Sequence, residues 1–222
     1  MRLLCVTDLH GEQRSLRCVL DDAGPADAVL LGGDLTHFGT PNQAEALVAV
    51  TQAHCPVVWA VAGNCDSAAI DERLAQLGVG LFGRGVVYEG VGFCGLSAMP
   101  PWQRHMYELT EEELRQALDA GNAQAARGKY QVVLSHAPPR DCRLDRTRSG
   151  EHVGSSALRE FITHRQPSLV VCGHIHEARG IEQLGATTVV NCGTGFQGHY
   201  ALVELTDTVH AELRIAGKPA AR

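Results

Sequence analysis

The residues able to do chemistry in this chain stand where apolar runs stop. Leu3-Leu4-Cys5-Val6 runs into Thr7-Asp8-Leu9-His10, Val29-Leu30-Leu31 into Gly32-Gly33-Asp34, and Val57–Val61 into Gly63-Asn64-Cys65-Asp66. Farther on, Val132-Val133-Leu134 gives way to Ser135-His136, and Leu169–Cys172 to Gly173-His174-Ile175-His176. Each run is short, continuous and apolar, the pattern of a strand covered on both faces. In open α/β sheets, active sites collect at the carboxyl ends of strands. Five such ends carrying Asp, His and Asn supply the material of a metal centre.

Two divalent ions held roughly 3.5–4 Å apart need a shared ligand, and a carboxylate serves best because its charge offsets their repulsion. Asp34, released from its strand by two glycines, takes that bridging role, with Asp8, His10, Asn64, His136, His174 and His176 closing around it. Asp8 and His10 are two apart in extended chain and can turn toward one ion; His174 and His176 repeat that relation. Mixed imidazole, carboxylate and amide donors suit Mn, Fe, Zn, Co or Ni rather than Ca, and no thiolate needs to take part.

The elements that must position these residues follow from the spacing of apolar positions. Leu16, Val19 and Leu20 predict a helix over 13–22, ended by Gly24-Pro25. Thr40 with Pro41 opens a second helix, Ile70, Leu74 and Leu77 mark a third over 67–77, and T-x-x-E at Thr110–Glu113 caps a fourth reaching about Arg127. The region from Val79 to Leu96 reads as short strands and hairpins, and Ser97 to Leu109 as an irregular loop. A long Arg-rich loop reaches Gly154, after which Ser155 or Ser156 caps a helix to about Arg165. From Gly180 to Ile215, β-branched residues alternate with glycines, which predicts antiparallel strands making a second sheet.

Composition narrows the class. With 222 residues, 45% hydrophobic and 20% charged, the chain suits one globular domain over 1–222. A net charge of −6 without a long basic run excludes nonspecific binding of nucleic acid by charge alone. No apolar run reaches membrane-spanning length, and the short strand after Met1 leaves no room for a signal-peptide core. The eight cysteines are scattered without a C-x-x-C pair, as expected for reduced thiols in a cytoplasmic protein. Oligomeric state is not written in any of these features.

Taken together, Asp8-Leu9-His10, Gly33-Asp34, Gly63-Asn64, His136 and Gly173-His174-Ile175-His176 resemble the calcineurin-like metallophosphoesterase superfamily. Gly150-Glu151-His152-Val153-Gly154-Ser155 and Asn191-Cys192-Gly193 resemble its small prokaryotic phosphodiesterase-like members. The resemblance implies a four-layer αββα sandwich, two facing mixed β-sheets flanked by helices. It also implies a split of the ligands: Asp8, His10, Asp34 and His176 on one ion, Asp34, Asn64, His136 and His174 on the other. The implied reaction is hydrolysis of a phosphate ester, a small molecule or nucleotide-like substrate, by a hydroxide bridging two ions, with manganese the first choice of metal.

One position departs from the pattern. Many catalytic members carry histidine directly after the motif asparagine, where it contacts substrate and protonates the leaving oxygen; this chain has Cys65. A neutral thiol is a poor substitute for imidazolium in that task. Activated or diester substrates are therefore expected over monoesters, and a weakly catalytic or scaffolding protein on the same fold is the alternative. Cys65 itself reads as a packing residue, because no adjacent base is evident in sequence. His152, in a glycine-flanked loop before a helix start, either contacts phosphate in place of the missing acid or only orders its own turn. His37, three residues after Asp34, reads as a partner of the ligands or as turn packing.

Overall fold

The computed structural model describes residues 1–102 and 105–217. In chain order the elements are β1 (Arg2–Val6), α1 (Gln13–Ala23), β2 (Ala28–Gly32), α2 (Pro41–His54), β3 (Val58–Val61), α3 (Ala68–Gln76), β4 (Gly85–Tyr88) and β5 (Val91–Leu96). There follow α4 (Glu111–Ala125), β6 (Tyr130–Ser135), α5 (Ser156–Arg165), β7 (Leu169–Cys172), β8 (Gly180–Leu184), β9 (Thr187–Asn191), β10 (His199–Leu205) and β11 (Val209–Ile215). Helix starts match the chemistry read from sequence. The Gln43 side chain accepts the Thr40 N–H at 2.8 Å, Glu113 accepts the Thr110 N–H at 2.7 Å, and Ser155 Oγ accepts the Leu158 N–H at 3.1 Å. Of the irregular loop expected from Ser97 to Leu109, residues 103 and 104 lie outside the described residues.

The strands form two mixed sheets of five and six strands, in the orders β11-β10-β1-β2-β3 and β4-β5-β6-β7-β9-β8. Alternation along each strand sorts side chains into layers. Leu4, Val6, Val29 and Leu31 point to α1 and α2, while Leu3, Cys5, Ala28 and Leu30 meet Phe93, Val132, Leu134, Leu169 and Val171 of the other sheet. On the far side, Cys94, Val133, Val170 and Cys172 pack under Leu114, Leu118, Leu158 and Ile162 of α4 and α5. The continuous apolar runs thus record burial on both faces, and the result is the four-layer sandwich.

The antiparallel strands after Gly180 do not make a second sheet of their own. β8 and β9 extend the six-stranded sheet, with β9 parallel to β7, whereas β10 and β11 join the five-stranded sheet beside β1. The reason is edge coverage: β1 and β7 would otherwise expose unpaired N–H and C=O groups, and the last two hairpins cover one edge each. Parallel strands therefore form the centre of both sheets, and their carboxyl ends open on one side of the sandwich.

Candidate metal centre

Four of the predicted ligands sit on backbone that L-residues rarely adopt. Asp8 (φ 56°), His10 (46°), Asp34 (47°) and His174 (66°) are all left-handed. Such a conformation costs a non-glycine residue on the order of 1–3 kcal/mol and persists only where surroundings over-determine it. Here the surroundings are the strand ends themselves. Asp8 N–H donates to Gly33 O (3.0 Å), His10 N–H to Asp34 O (2.8 Å), and Phe196 N–H to Asp8 O (3.0 Å), so the turns after β1 and β2 hold each other. Glycines in the motifs make room: a Cβ on Gly63 would collide with the Asp34 carboxylate, and one on Gly173 with Asp8 Oδ2.

Asp34 is nearly buried and reaches both ways: its Oδ2 lies 3.7 Å from His10 Nε2, and its Oδ1 lies 3.5 Å from His136 Nε2. Oδ1 also accepts the Cys65 N–H at 2.7 Å. Asp8, fully buried, accepts His174 N–H (3.1 Å to Oδ2) and a bond from His176 Nε2 (3.2 Å to Oδ1). Ligand atoms of Asp8, His10 and His176 all lie within 4.8 Å of one another, as do those of Asp8, Asp34 and His136. Asn64 joins through His136, its Oδ1 standing 2.8 Å from Nε2, and the His174 ring is 5.1 Å from the His136 ring.

Several groups in this cluster are set to accept a cation. His136 faces an oxygen from each ring nitrogen, Gly32 O at 3.0 Å from Nδ1 and Asn64 Oδ1 at 2.8 Å from Nε2; with Nδ1 donating to Gly32, Nε2 meets Asn64 either through its own proton or through a cation in that proton's place. His10 Nδ1 and His174 Nε2 are buried with no hydrogen-bond partner among the described residues. Buried polar atoms are nearly always satisfied, so orphans of this kind call for a ligand.

Burial and the neighbouring charges shift these groups in different directions. Burial alone would raise the Asp8 carboxyl, yet the bond from His176, with His136 and Thr7, holds it below its ordinary range. Burial lowers His174 to about 3, with His136 adding to the effect, so the imidazole stays neutral. Burial also lowers His10. For His136 burial works in the same direction, but Asp34 and Asp8 outweigh it and the net shift is upward.

Sequence reasoning missed the carboxylate that frames the centre. Asp66, the last residue of Gly-Asn-Cys-Asp, accepts Gly63 N–H (2.8 Å), Leu35 N–H (2.9 Å), Thr36 N–H (2.8 Å) and Thr36 Oγ (2.8 Å). Its pKa is raised, by burial and by Asp34. Asn191 was visible only as part of a motif; its amide donates to the Ile175 carbonyl between the two histidines (2.9 Å). Phe196, whose ring stands edge-on to His10 (5.5 Å) and His176 (6.1 Å), carried no sequence signal. His152 Nδ1 is bonded to the buried Asp145 at 2.6 Å, away from the predicted ligands. Cys65 is 7% exposed, and burial with nearby Asp34 raises its thiol well above the ordinary value.

Fold and site together define a two-sheet α/β sandwich with a histidine–carboxylate cluster at the strand ends. The chain belongs to the calcineurin-like phosphoesterase family, whose profile matches residues 1–178. It is 30% identical over 198 residues to the uncharacterized protein MJ1162 of Methanocaldococcus jannaschii, covering 86% of this chain and 87% of that one. Among solved structures it is similar to TT1561 of Thermus thermophilus, with TM-score 0.75 and 18% identity over 97% of this chain and 98% of the other. A dimetal phosphatase from Danio rerio superposes with TM-score 0.67 at 12% identity, over 97% and 96% of the two chains. Membership implies a metal-dependent hydrolase of phosphoric esters. No helix among the described residues is long and apolar enough to cross a membrane.

Proposed function

We propose that this chain is a dinuclear-metal phosphodiesterase. The observation that carries the proposal is the convergence of ligand-type atoms of Asp8, His10 and His176, and of Asp8, Asp34 and His136, each group within 4.8 Å, in a cluster where buried imidazole nitrogens of His10 and His174 have no partner among the described residues. Asp8, His10, Asp34 and His176 would hold one ion, and Asp34, Asn64, His136 and His174 the other. When bound, two such ions supply a nucleophile at neutral pH by lowering the pKa of water and stabilise the charge that builds on phosphoryl oxygens.

The protein's own part is positioning. Cys65 N–H fixes Asp34 Oδ1, Asp66 ties the turn at 35–36 to Gly63, and Gly32 O orients the His136 ring. Preference for diesters or activated esters follows from the thiol at position 65, which is a poor proton donor to an alkoxide. Manganese is the first choice among metals that accept mixed O and N donors, ahead of Fe, Ni, Zn and Co. The eight cysteines are all free thiols, which suits a reducing compartment such as cytoplasm.

The test is hydrolysis of aryl mono- and diesters by protein reconstituted with Mn, Ni, Co or Zn. Turnover of diesters above monoesters with at least one of these metals is expected. Turnover confined to monoesters overturns the diester preference, and no turnover with any metal overturns the enzyme.

A further inference from the structure

We infer that His37 supplies the N–H that faces the leaving-group oxygen, the place left without an imidazole by Cys65; the inference rests on the phosphoesterase reading above. Ring nitrogens of His37 and His10 and the Cys65 sulfur all lie within 4.8 Å of one another. The His37 ring meets His10 edge-on at 5.4 Å between centroids. Unlike the buried His136, His37 is exposed, as His176 is, and it lines an open groove of about 470 Å³ together with His10, His176, Glu12 and Phe196. A phosphoryl group held at the strand ends must extend its ester substituents into solvent-accessible space, and this groove adjoins two of the proposed ligands.

The position of His37 is enforced. Segment 34–38 is tied to segment 63–66 by Cys65 N–H to Asp34 Oδ1 (2.7 Å), Leu35 N–H and Thr36 N–H to Asp66, and Phe38 N–H to the Cys65 carbonyl (2.8 Å). Phe38 pays for its neighbour's placement: it is left-handed (φ 54°) and 58% exposed, so neither backbone preference nor burial favours it. Its ring stands 5.0 Å from the His37 ring. The backbone bonds on both sides of residue 37 keep it beside position 65. The imidazole that other members carry after the asparagine is thus returned from the neighbouring strand end.

In hydrolysis, a water oxygen forms one bond to phosphorus while the bond from phosphorus to the leaving oxygen breaks, that oxygen keeping the electron pair. The His37 N–H shares its proton with that oxygen, and a proton from the attacking water restores the ring. The sum is ester plus water giving phosphate ester and alcohol.

The test is a leaving-group series of diaryl phosphates, from 4-nitrophenol to phenol, on metal-reconstituted wild type, His37→Ala and His37→Ala/Cys65→His. In His37→Ala the loss in kcat is expected to grow along the series, from several-fold for 4-nitrophenol to about 10²-fold for phenol. Metal content by elemental analysis stays at the wild-type value, and the double variant recovers most of the phenol rate. His37→Gln, which keeps an N–H, is expected to fall between. A loss equal at every leaving group, no loss, or release of an ion from His37→Ala overturns the inference while leaving the phosphoesterase reading intact. A wild type loaded with metal but inert across the series overturns both.

Discussion

Two buried places in this molecule bring aspartate and histidine together, and their hydrogen bonds are arranged differently. In the loop over 139–155, Asp145 is fully buried and every acceptor is used. Oδ1 takes Cys142 N–H (3.1 Å) and His152 Nδ1 (2.6 Å), and Oδ2 takes Asp141 N–H (3.1 Å) and Gly154 N–H (3.1 Å). At the strand ends, Asp8 and Asp34 also meet histidines, yet His10 Nδ1 and His174 Nε2 have no partner among the described residues. A closed network specifies a loop; an open one awaits a cation. His152 resembles a site residue in sequence, but its bonding belongs to the first kind.

The largest effect expected from this contrast is at Asp34. Asp34→Asn keeps the shape and removes the charge between the two ligand groups, so it should release metal and lower kcat/KM by about 10³-fold or more, equivalent to roughly 4 kcal/mol. Activity within ~10-fold of wild type, with metal retained, would erase the distinction between the two networks.

A further aspartate, Asp71, sharpens the comparison. Asp71 on α3 is met by two hydroxyls, Ser97 Oγ (2.6 Å) and Tyr107 OH (2.9 Å), with the Ala62 backbone adding to them, and burial raises it to about 6 against those bonds. Between about pH 4 and 6 the native state keeps a proton that the unfolded chain, near 3.8, has released. Stability is therefore expected to fall as pH rises through that window, by about 3 kcal/mol in full, and to level off above it. Denaturant titrations at pH 4, 5, 6 and 7 on wild type and Asp71→Asn check this: the variant should lose that part of the slope. An equal slope in both would mean that Asp71 ionises in the folded state as it does in the unfolded one.

The smallest effect is at His152. His152→Ala removes one of the four donors to Asp145 and should cost about 1–2 kcal/mol in denaturant unfolding. Metal content should not move. A drop in metal affinity instead would place His152 with the open network.

The strand ends were legible in sequence because a doubly buried strand announces itself as an apolar run and its chemistry begins where the run stops. Asp8, Asp34, Asn64, His136 and His174 could be placed on one side by that rule alone. The sharing of the C-terminal strands between sheets was not legible, since alternation in β8 to β11 states that a face is buried and not which edge is covered. Nor was the left-handed backbone at Asp8, His10, Asp34 and His174, which comes from contacts between turns far apart in sequence. The same holds for His37: at position 65 no base stands nearby in sequence, and only the bonds joining segments 34–38 and 63–66 bring the ring to the thiol.

The most direct measurement is the number of ions the cluster holds. Elemental analysis of the manganese-reconstituted chain, paired with titration calorimetry, should give two ions per wild-type chain. In Asp34→Asn, fewer than one should remain. One ion in wild type, or two undiminished in Asp34→Asn, would contradict a centre bridged by Asp34.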